Sequence, residues 1–388
     1  MIISSLAKPV DSHIVSLPLS DWKQKSRNFI KANVTPYANK YALEGKLPPE
    51  LIKSIAENGF LGTLVNPTYG GLGIDFPTYG TITEEFGFGC SSARSLLTVH
   101  DMVAYAIEHF GNEQQKSKWL PKLVCGQVIA AFALSEPMLG SSINKLNTRI
   151  EVQKGKLRLF GKKVWISFGQ IADLILVFAK YDNRPVAVLV PSSEKNISIN
   201  AIDKSFGMPA SMLAEVLMEG VEIDESQILG SDGLGISFIA NQCLMLGRYS
   251  VAYGCCGIIR ACLEACTKKV TENRPDGNML INYQIIAGMM TDMFACYKVT
   301  SLLCADVGEK LQNSFYSALE DVMLAKYLSA KNAFKVASNA LQVFGAEGYR
   351  HDSSINRLFQ DAKVAELIEG SNELLQATIG KLIVNSRF

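Results

Sequence analysis

The stretch TRIEVQKGKLRLFGKKVWIS (148–167) alternates apolar and polar residues on both sides of Lys154-Gly155. Side chains of a strand point to opposite faces in turn, so the pattern is that of a half-buried hairpin turning at Lys-Gly. The period holds around it. ADLILVFAK (172–180) and RPVAVLVP (184–191) are apolar runs of strand length, and LAEVLMEGVEI (213–223) alternates again. Outward from this β block the period changes. LPPELIKSIAENGFLG (47–62) places apolar residues at 51, 52, 55 and 60 with Gly59 as a stop. SSARSLLTVHDMVAYAIEHFG (91–111) reads as a helix ended by Gly111, and NEQQKSKWLPKLVCG (112–126) as a polar start with a short helix. NPTYGGLGIDFP (66–77) is dense in Gly and Pro and is expected to be a loop. Beyond the β block, 241–273, 283–311 and 319–345 carry long helical stripes, the last closed by Gly345, and a fourth helix starts near Ser371. Such stripes suit an antiparallel bundle. The expected fold class is α+β, in three domains: helical over 1–128, β over 129–235, and a helical bundle over 236–388.

Composition narrows the function classes. The chain has 388 residues, 48% hydrophobic and 19% charged, with a formal net charge of +1. That is enough to bury a large core, and it offers no electrostatic footprint for nucleic acid or a membrane surface. No apolar run reaches membrane-span length. The segment MIISSLAKPVDSHIVSLPLSDW (1–22) does not read as a secretion signal. Nine cysteines without such a signal point to reduced thiols in a cytoplasm. Cys255, Cys256, Cys262 and Cys266 share one apolar stretch. Cys262 and Cys266 are a helical turn apart, as a metal pair would be. The four histidines, at 13, 100, 109 and 351, are remote in sequence, so core packing is the expected role. No metal site is expected.

Four segments carry chemistry, and each alone also has a structural reading. FALSEPMLGSS (132–142) offers amides and hydroxyls to an anion or a planar heterocycle, or is an ordinary connection. KVWISFG (163–169) puts a Trp on a strand, beside a ring or in a core. LQVFGAEGY (341–349) ends a helix in two closely spaced glycines, for close backbone approach or as a simple cap. DAKVAELIEGSNELL (361–375) places Glu369 after Leu367-Ile368 at a break before a helix. A carboxylate in an apolar niche has a raised pKa and can serve as a base. Alternatively, its charge supports the helix N-terminus.

In this order and spacing the four segments resemble the acyl-CoA dehydrogenase family. PTYGGLG (67–73) and FGNEQQKSKWLPKLVCGQ (110–127) fit it too. The resemblance implies FAD between the three domains, usually in a homotetramer, with a homodimer as the alternative. It implies Glu369 as the base, in Glu369-Gly370-Ser371. It places Phe132, Leu134, Ser135, Gly140 and Ser141 on the flavin loop, and Trp165, Ile166 and Ser167 on the strand beside the isoalloxazine ring. Gln342, Val343 and Gly345 fall on the segment that receives a neighbour's FAD, and Arg274, Ser371 and Glu373 complete the cofactor set. Ser95, Thr98, Val99, His100, Met102, Arg248 and Gly370 fall on substrate positions. Some relatives carry the base immediately before the Arg matching Arg248; that position is Gly247 here. In the implied reaction Glu369 removes a proton, the flavin takes a hydride, and a ribityl hydroxyl with the Glu369 N–H stabilises the oxyanion. Three positions depart from the pattern: Arg274 with Asp276 in place of a Phe, Gln360 in place of an Arg, and Ser354 in place of a Pro.

GRYSVAYGCCGIIRACLEAC (247–266) and DAKVAELIEGSNEL (361–374) resemble one branch of the family. It acts on acyl-carrier-protein substrates and makes hydroxymalonyl, methoxymalonyl or aminomalonyl extender units. Ser95, Thr98, His100 and Asp101 suit a short polar acyl group, unless His100 and Asp101 face away and bond locally. The electron acceptor stays unidentified. Three other readings compete: a catabolic short-chain acyl-CoA dehydrogenase, a flavin monooxygenase on the same fold, and a non-catalytic carrier-protein-binding homologue.

Overall fold

Helix caps and glycines set the element boundaries in the first region. The structure is a computed structural model that describes residues 18–138, 146–230, 233–275 and 277–385. Helices α1 (Leu19–Asn33), α2 (Ala38–Glu44), α3 (Pro49–Glu57), α4 (Phe76–Gly89), α5 (Ser91–Phe110) and α6 (Glu113–Val124) come first. Asn112 and Gln115 form a reciprocal capping box at α6, and the Asp75 side chain accepts from Thr78 N at the start of α4. The Gly/Pro stretch 66–77 is a loop with one 3₁₀ turn at Pro67–Tyr69, and its last two residues begin α4.

The strands follow as β1 (Ala130–Ala133), β2 (Arg149–Gln153), β3 (Lys156–Ile166), β4 (Leu174–Tyr181), β5 (Arg184–Pro191), β6 (Ile197–Ala201), β7 (Ala214–Ile223) and β8 (Ile228–Leu229). They form one sheet in the order β6-β7-β3-β2-β4-β5-β8, with β1 parallel to β4. The hairpin turns at Lys154 (φ 53°) and Gly155 (φ 74°), two left-handed residues whose twist matches that of the strands they join. The register of β3 against β7 breaks between Lys163 and Ile166. Trp165 lies in that break, with φ 60°. A bulge re-aims a side chain out of the sheet.

A π-helical turn at Gly235–Ala240 leads into α7 (Asn241–Val270), followed by α8 (Gln284–Asn313), α9 (Leu319–Phe344), the short α10 (Ala346–Tyr349), α11 (Ser354–Ala365) and α12 (Asn372–Asn385). Helix α7 is buried for most of its length and packs on α4, α5, α8 and α9. Glycines permit the closest crossing. A Cβ on Gly257 would lie 2.2 Å from Glu84 O, and one on Gly87 would lie 2.4 Å from Gly254 O. At that crossing Arg260 makes two hydrogen bonds to Glu85 (2.8 and 2.6 Å), a bidentate pair that fixes orientation as well as contact. Cys255, Cys256, Cys262 and Cys266 are buried with the apolar side chains of this bundle. No helix among the described residues is long and apolar enough to cross a membrane.

Candidate functional site

Glu369 sits in the turn between α11 and α12, at φ 57°. A left-handed backbone is costly for a residue with a Cβ, and surrounding bonds hold this one. Arg248 Nε of α7 donates to Glu369 O (3.0 Å). Lys326 Nζ of α9 donates to Gly370 O (2.8 Å) and Asn372 Oδ1 (3.1 Å). Ser371 Oγ accepts from Leu374 N (3.3 Å), so Ser371 is the group that caps α12. The Glu369 carboxylate instead lies over Gly247, where a Cβ would be 2.6 Å from Oε2. Oε2 is enclosed and has no hydrogen-bond partner. Burial pushes the pKa of Glu369 above the usual carboxylate range, while Arg248, Arg94 and Lys326 pull against that shift. The Glu369 N–H also has no partner among the described residues. A raised, unpaired carboxylate beside a free amide can take a proton and stabilise an oxyanion.

The cofactor positions lie on two adjoining segments. Val164 N donates to Ser135 O (3.0 Å), which ties the segment after β1 to the end of β3. Ser135 is exposed, Phe132 and Ser167 are half-buried, and Leu134 and Ile166 are buried. Trp165 presents an aromatic surface that is 62% exposed. An exposed Trp held outward by a bulge, beside an exposed seryl backbone, fits a planar heterocycle stacked there. FAD in this place would contact Ser135, Trp165 and Ser167. Gly140 and Ser141 lie outside the described residues, as does Asp276. Gln342 and Gly345 are exposed at the end of α9, Val343 is buried, and Gly345 has open space where a Cβ would stand. Arg274 is exposed in the α7–α8 connection, and Glu373 is exposed on α12. Gln360 Nε2 donates to Asn356 Oδ1 (2.8 Å) within α11, which Ser354 begins.

The substrate positions divide. The side chain of Thr98 joins Ser250 of α7 (2.7 Å), and Gly370 and Arg248 adjoin Glu369. Ser95 and Val99 are buried on the same helix, and Met102 is fully enclosed in the core. For His100 the alternative of local bonding applies. Its Nδ1 accepts from Ala130 N (3.3 Å), and its Nε2 lies 3.0 Å from Leu123 O, so both ring nitrogens serve the backbone. Burial pulls its pKa down to about 4, which keeps the ring neutral. Asp101 likewise bonds locally, accepting from Gly62 N (2.7 Å), and burial raises its pKa to about 8. His100 and Asp101 therefore serve as joints between elements.

Sequence reasoning missed three residues. Lys326 braces the Glu369 turn. Glu136 and Lys163 form a buried ion pair (2.7 Å) behind the cofactor segments. Lys163 also donates to Leu134 O (3.1 Å), and Glu136 accepts from Asn147 N and Thr148 N. A Glu inside a Ser-Glu-Pro loop is the only signal the sequence gives for this clamp.

Comparison with known proteins agrees with this arrangement. Residues 20–127 match the N-terminal domain of acyl-CoA dehydrogenases, 131–221 the middle domain and 233–384 the C-terminal domain. The mitochondrial short-chain specific acyl-CoA dehydrogenase of Rattus norvegicus is 29% identical over 371 residues, which cover 94% of this chain and 89% of the rat protein. A Mycobacterium smegmatis glutaryl-CoA dehydrogenase, solved with FADH2, superposes with a TM-score of 0.89 at 26% identity, covering 97% of each chain. FkbI, a protein for biosynthesis of the methoxymalonyl extender unit of the polyketide Fk520, superposes with a TM-score of 0.85 at 28% identity. That match covers 92% of this chain and 99% of FkbI. With all three domains matched in order and the fold shared end to end, the chain belongs to the acyl-CoA dehydrogenase family of FAD-dependent oxidoreductases.

Proposed function

We propose that the protein oxidises a short polar acyl thioester carried on an acyl carrier protein, in the making of an extender unit for a secondary metabolite. The observation that carries the catalytic half is the enclosed Glu369 carboxylate with its unpaired Oε2 over Gly247. The polar-substrate half rests on the Thr98–Ser250 hydroxyl pair beside that carboxylate's helix face, and on the likeness to FkbI. Bound FAD supplies the two-electron acceptor for the hydride. Glu369 takes the proton, from a C–H next to the thioester carbonyl or from a hydroxyl of an aldehyde hydrate. For the hydrate, loss of the C3 hydride and of one hydroxyl proton leaves a second C=O bond and gives a carboxylic acid. The Glu369 N–H is placed to meet a developing oxyanion. Ser135, Trp165, Ser167, Gln342 and Gly345 hold the cofactor in this reading.

The test is anaerobic mixing of the holoenzyme with short acyl-CoA and acyl-carrier-protein thioesters. Flavin bleaching is followed, with mass analysis of the acyl group. Short polar carrier-bound thioesters are expected to bleach the flavin fastest. Faster bleaching by butyryl-CoA would replace this reading with a catabolic short-chain dehydrogenase, which the likeness to the rat enzyme favours.

The protein is further proposed to be a homotetramer or homodimer. Helix α8 exposes Ile285, Phe294, Val299 and Leu302, each more than half exposed. Large apolar side chains gathered on one helix mark an interaction face. Sedimentation of the holoenzyme is expected to show an oligomer, and a monomer with bound FAD would contradict it.

A further inference from the structure

The turn that carries Glu369 has two left-handed residues in succession, Glu369 at φ 57° and Gly370 at φ 89°. Backbone strained at a residue with a Cβ persists only where its surroundings hold it. Here both carbonyls are taken by buried cations, and neither accepts from a backbone N–H among the described residues. Arg248 of α7 holds the first, and Lys326 of α9 holds the second. Lys326 is 0% exposed. Its ammonium has three N–H donors and meets three neutral oxygens, all from 366–372: Gly370 O (2.8 Å), Asn372 Oδ1 (3.1 Å) and, at the limit of reach, Glu366 O (3.5 Å). Asn372 N closes the same loop onto Glu366 O (2.9 Å). A buried charge is costly unless its donors are met, so the charge on Lys326 and the shape of the turn depend on each other. The groups around Nζ come from the elements packed on it. Helix α7 presents Arg248 and the Cys255 thiol, the end of α11 and the turn present Glu366 and Glu369, and α12 presents Glu373 from an exposed position. Glu366 is engaged by Lys363 (2.7 Å), and on the α8 side the Cys304 thiol meets Ser329, one turn along α9 (3.6 Å). Burial pulls the pKa of Lys326 down to about 8, with Cys255, Glu369 and Glu366 opposing that shift and Arg248 adding to it.

We propose that Lys326 is a positioning residue for the base: its ammonium holds the Glu369–Gly370 turn in the shape that lays the carboxylate over Gly247, and loss of its proton at alkaline pH releases the turn and stops flavin reduction. This rests on Glu369 as the base and is the same for a carrier-bound or a CoA thioester. The cation has a second effect from the same place, since its charge favours the ionised form of Glu369. Reduction should therefore rise with pH as Glu369 ionises and fall again as Lys326 gives up its proton.

The test is anaerobic stopped-flow reduction of the holoenzyme, from about pH 6 to about pH 10. The probes are butyryl-CoA and the 3-oxopropionyl thioester of acyl carrier protein, and the faster one is followed in the wild type, Lys326→Gln and Lys326→Arg. The wild type is expected to give a bell. Lys326→Gln should reduce about tenfold more slowly or worse at its optimum, with its rising limb moved to higher pH and no falling limb. Lys326→Arg keeps a charge that does not titrate in this range, so it should keep the rising limb in place and lose the falling one. A wild-type rate that never falls, or a falling limb retained in either variant, overturns the proposal and leaves Lys326 a purely structural residue. Should both variants fail to fold, Asn372→Ala decides. It removes one acceptor from the ammonium, so the falling limb should move to lower pH, and an unmoved limb overturns the proposal. Failure of the reading beneath has its own signature, which is Glu369→Gln reduced as fast as the wild type.

Discussion

Glu369→Gln is expected to retain the fold and FAD and to lose flavin reduction by substrate by about a thousandfold or more, within the range typical of a removed general base. The amide fills the same volume over Gly247 and cannot accept the proton. Stopped-flow reduction under anaerobic conditions measures this directly, and reduction at the wild-type rate would remove Glu369 from the mechanism. Stability should move the other way. The wild type keeps an enclosed oxygen without a partner, so replacing the charge is expected to leave the melting temperature unchanged or raise it. In the wild type the base must be ionised to act. Its pKa is raised by burial, so the reductive rate should climb with pH through a midpoint above that of an ordinary glutamate. The glutamine variant should lack that limb.

Glu136→Ala carries the largest expected loss of stability, about 3–5 kcal/mol, because it leaves Lys163 buried without its partner. Burial already pulls the pKa of Lys163 down to about 8, against the pull of Glu136 in the other direction. Burial opposes ionisation of Glu136 as well, yet Lys163 and the Asn147 and Thr148 amides keep its pKa below the usual value. The same change frees those two amides, so FAD should be released more readily on gel filtration. Chemical denaturation followed by fluorescence measures the stability. The pair Glu136→Ala with Lys163→Met should regain much of the loss, since an apolar replacement of a buried ion pair is often near neutral. Wild-type stability in the single variant would show that the clamp contributes nothing.

Periodicity made the frame legible. The hairpin at Lys154-Gly155, the helix ending at Gly111 and the long helix closed by Gly345 lie where alternation, helical stripes and glycine stops place them. What escaped reading has a common physical cause. Lys162 and Lys163 are adjacent and chemically alike. Lys162 pairs with Glu215 at the surface, while Lys163 is 0% exposed against Glu136. Alternation assigns one of them inward but cannot say that a charge will be satisfied there. The bulge that turns Trp165 outward depends on the register with β7, a non-local pairing. Helix α11 is not among the helices that the stripes announce. Its apolar face is matched by neighbours distant in sequence. His100 is a substrate position only through the resemblance, with local bonding as the open alternative. Its role is decided by Leu123 O and Ala130 N, which no local pattern announces.

Gly247 has an evolutionary meaning as well as a steric one. Any side chain there would claim the volume that the Glu369 carboxylate fills. The resemblance places the base of some relatives at this position, so the two lineages differ by where one carboxylate is rooted. A single step in either direction is expected to lower activity. Gly247→Glu alone crowds two acids into one space, and Glu369→Gly alone leaves none. Such a site is epistatically locked, and a library varying positions 247 and 369 jointly should return active clones only where one of the two is a small residue.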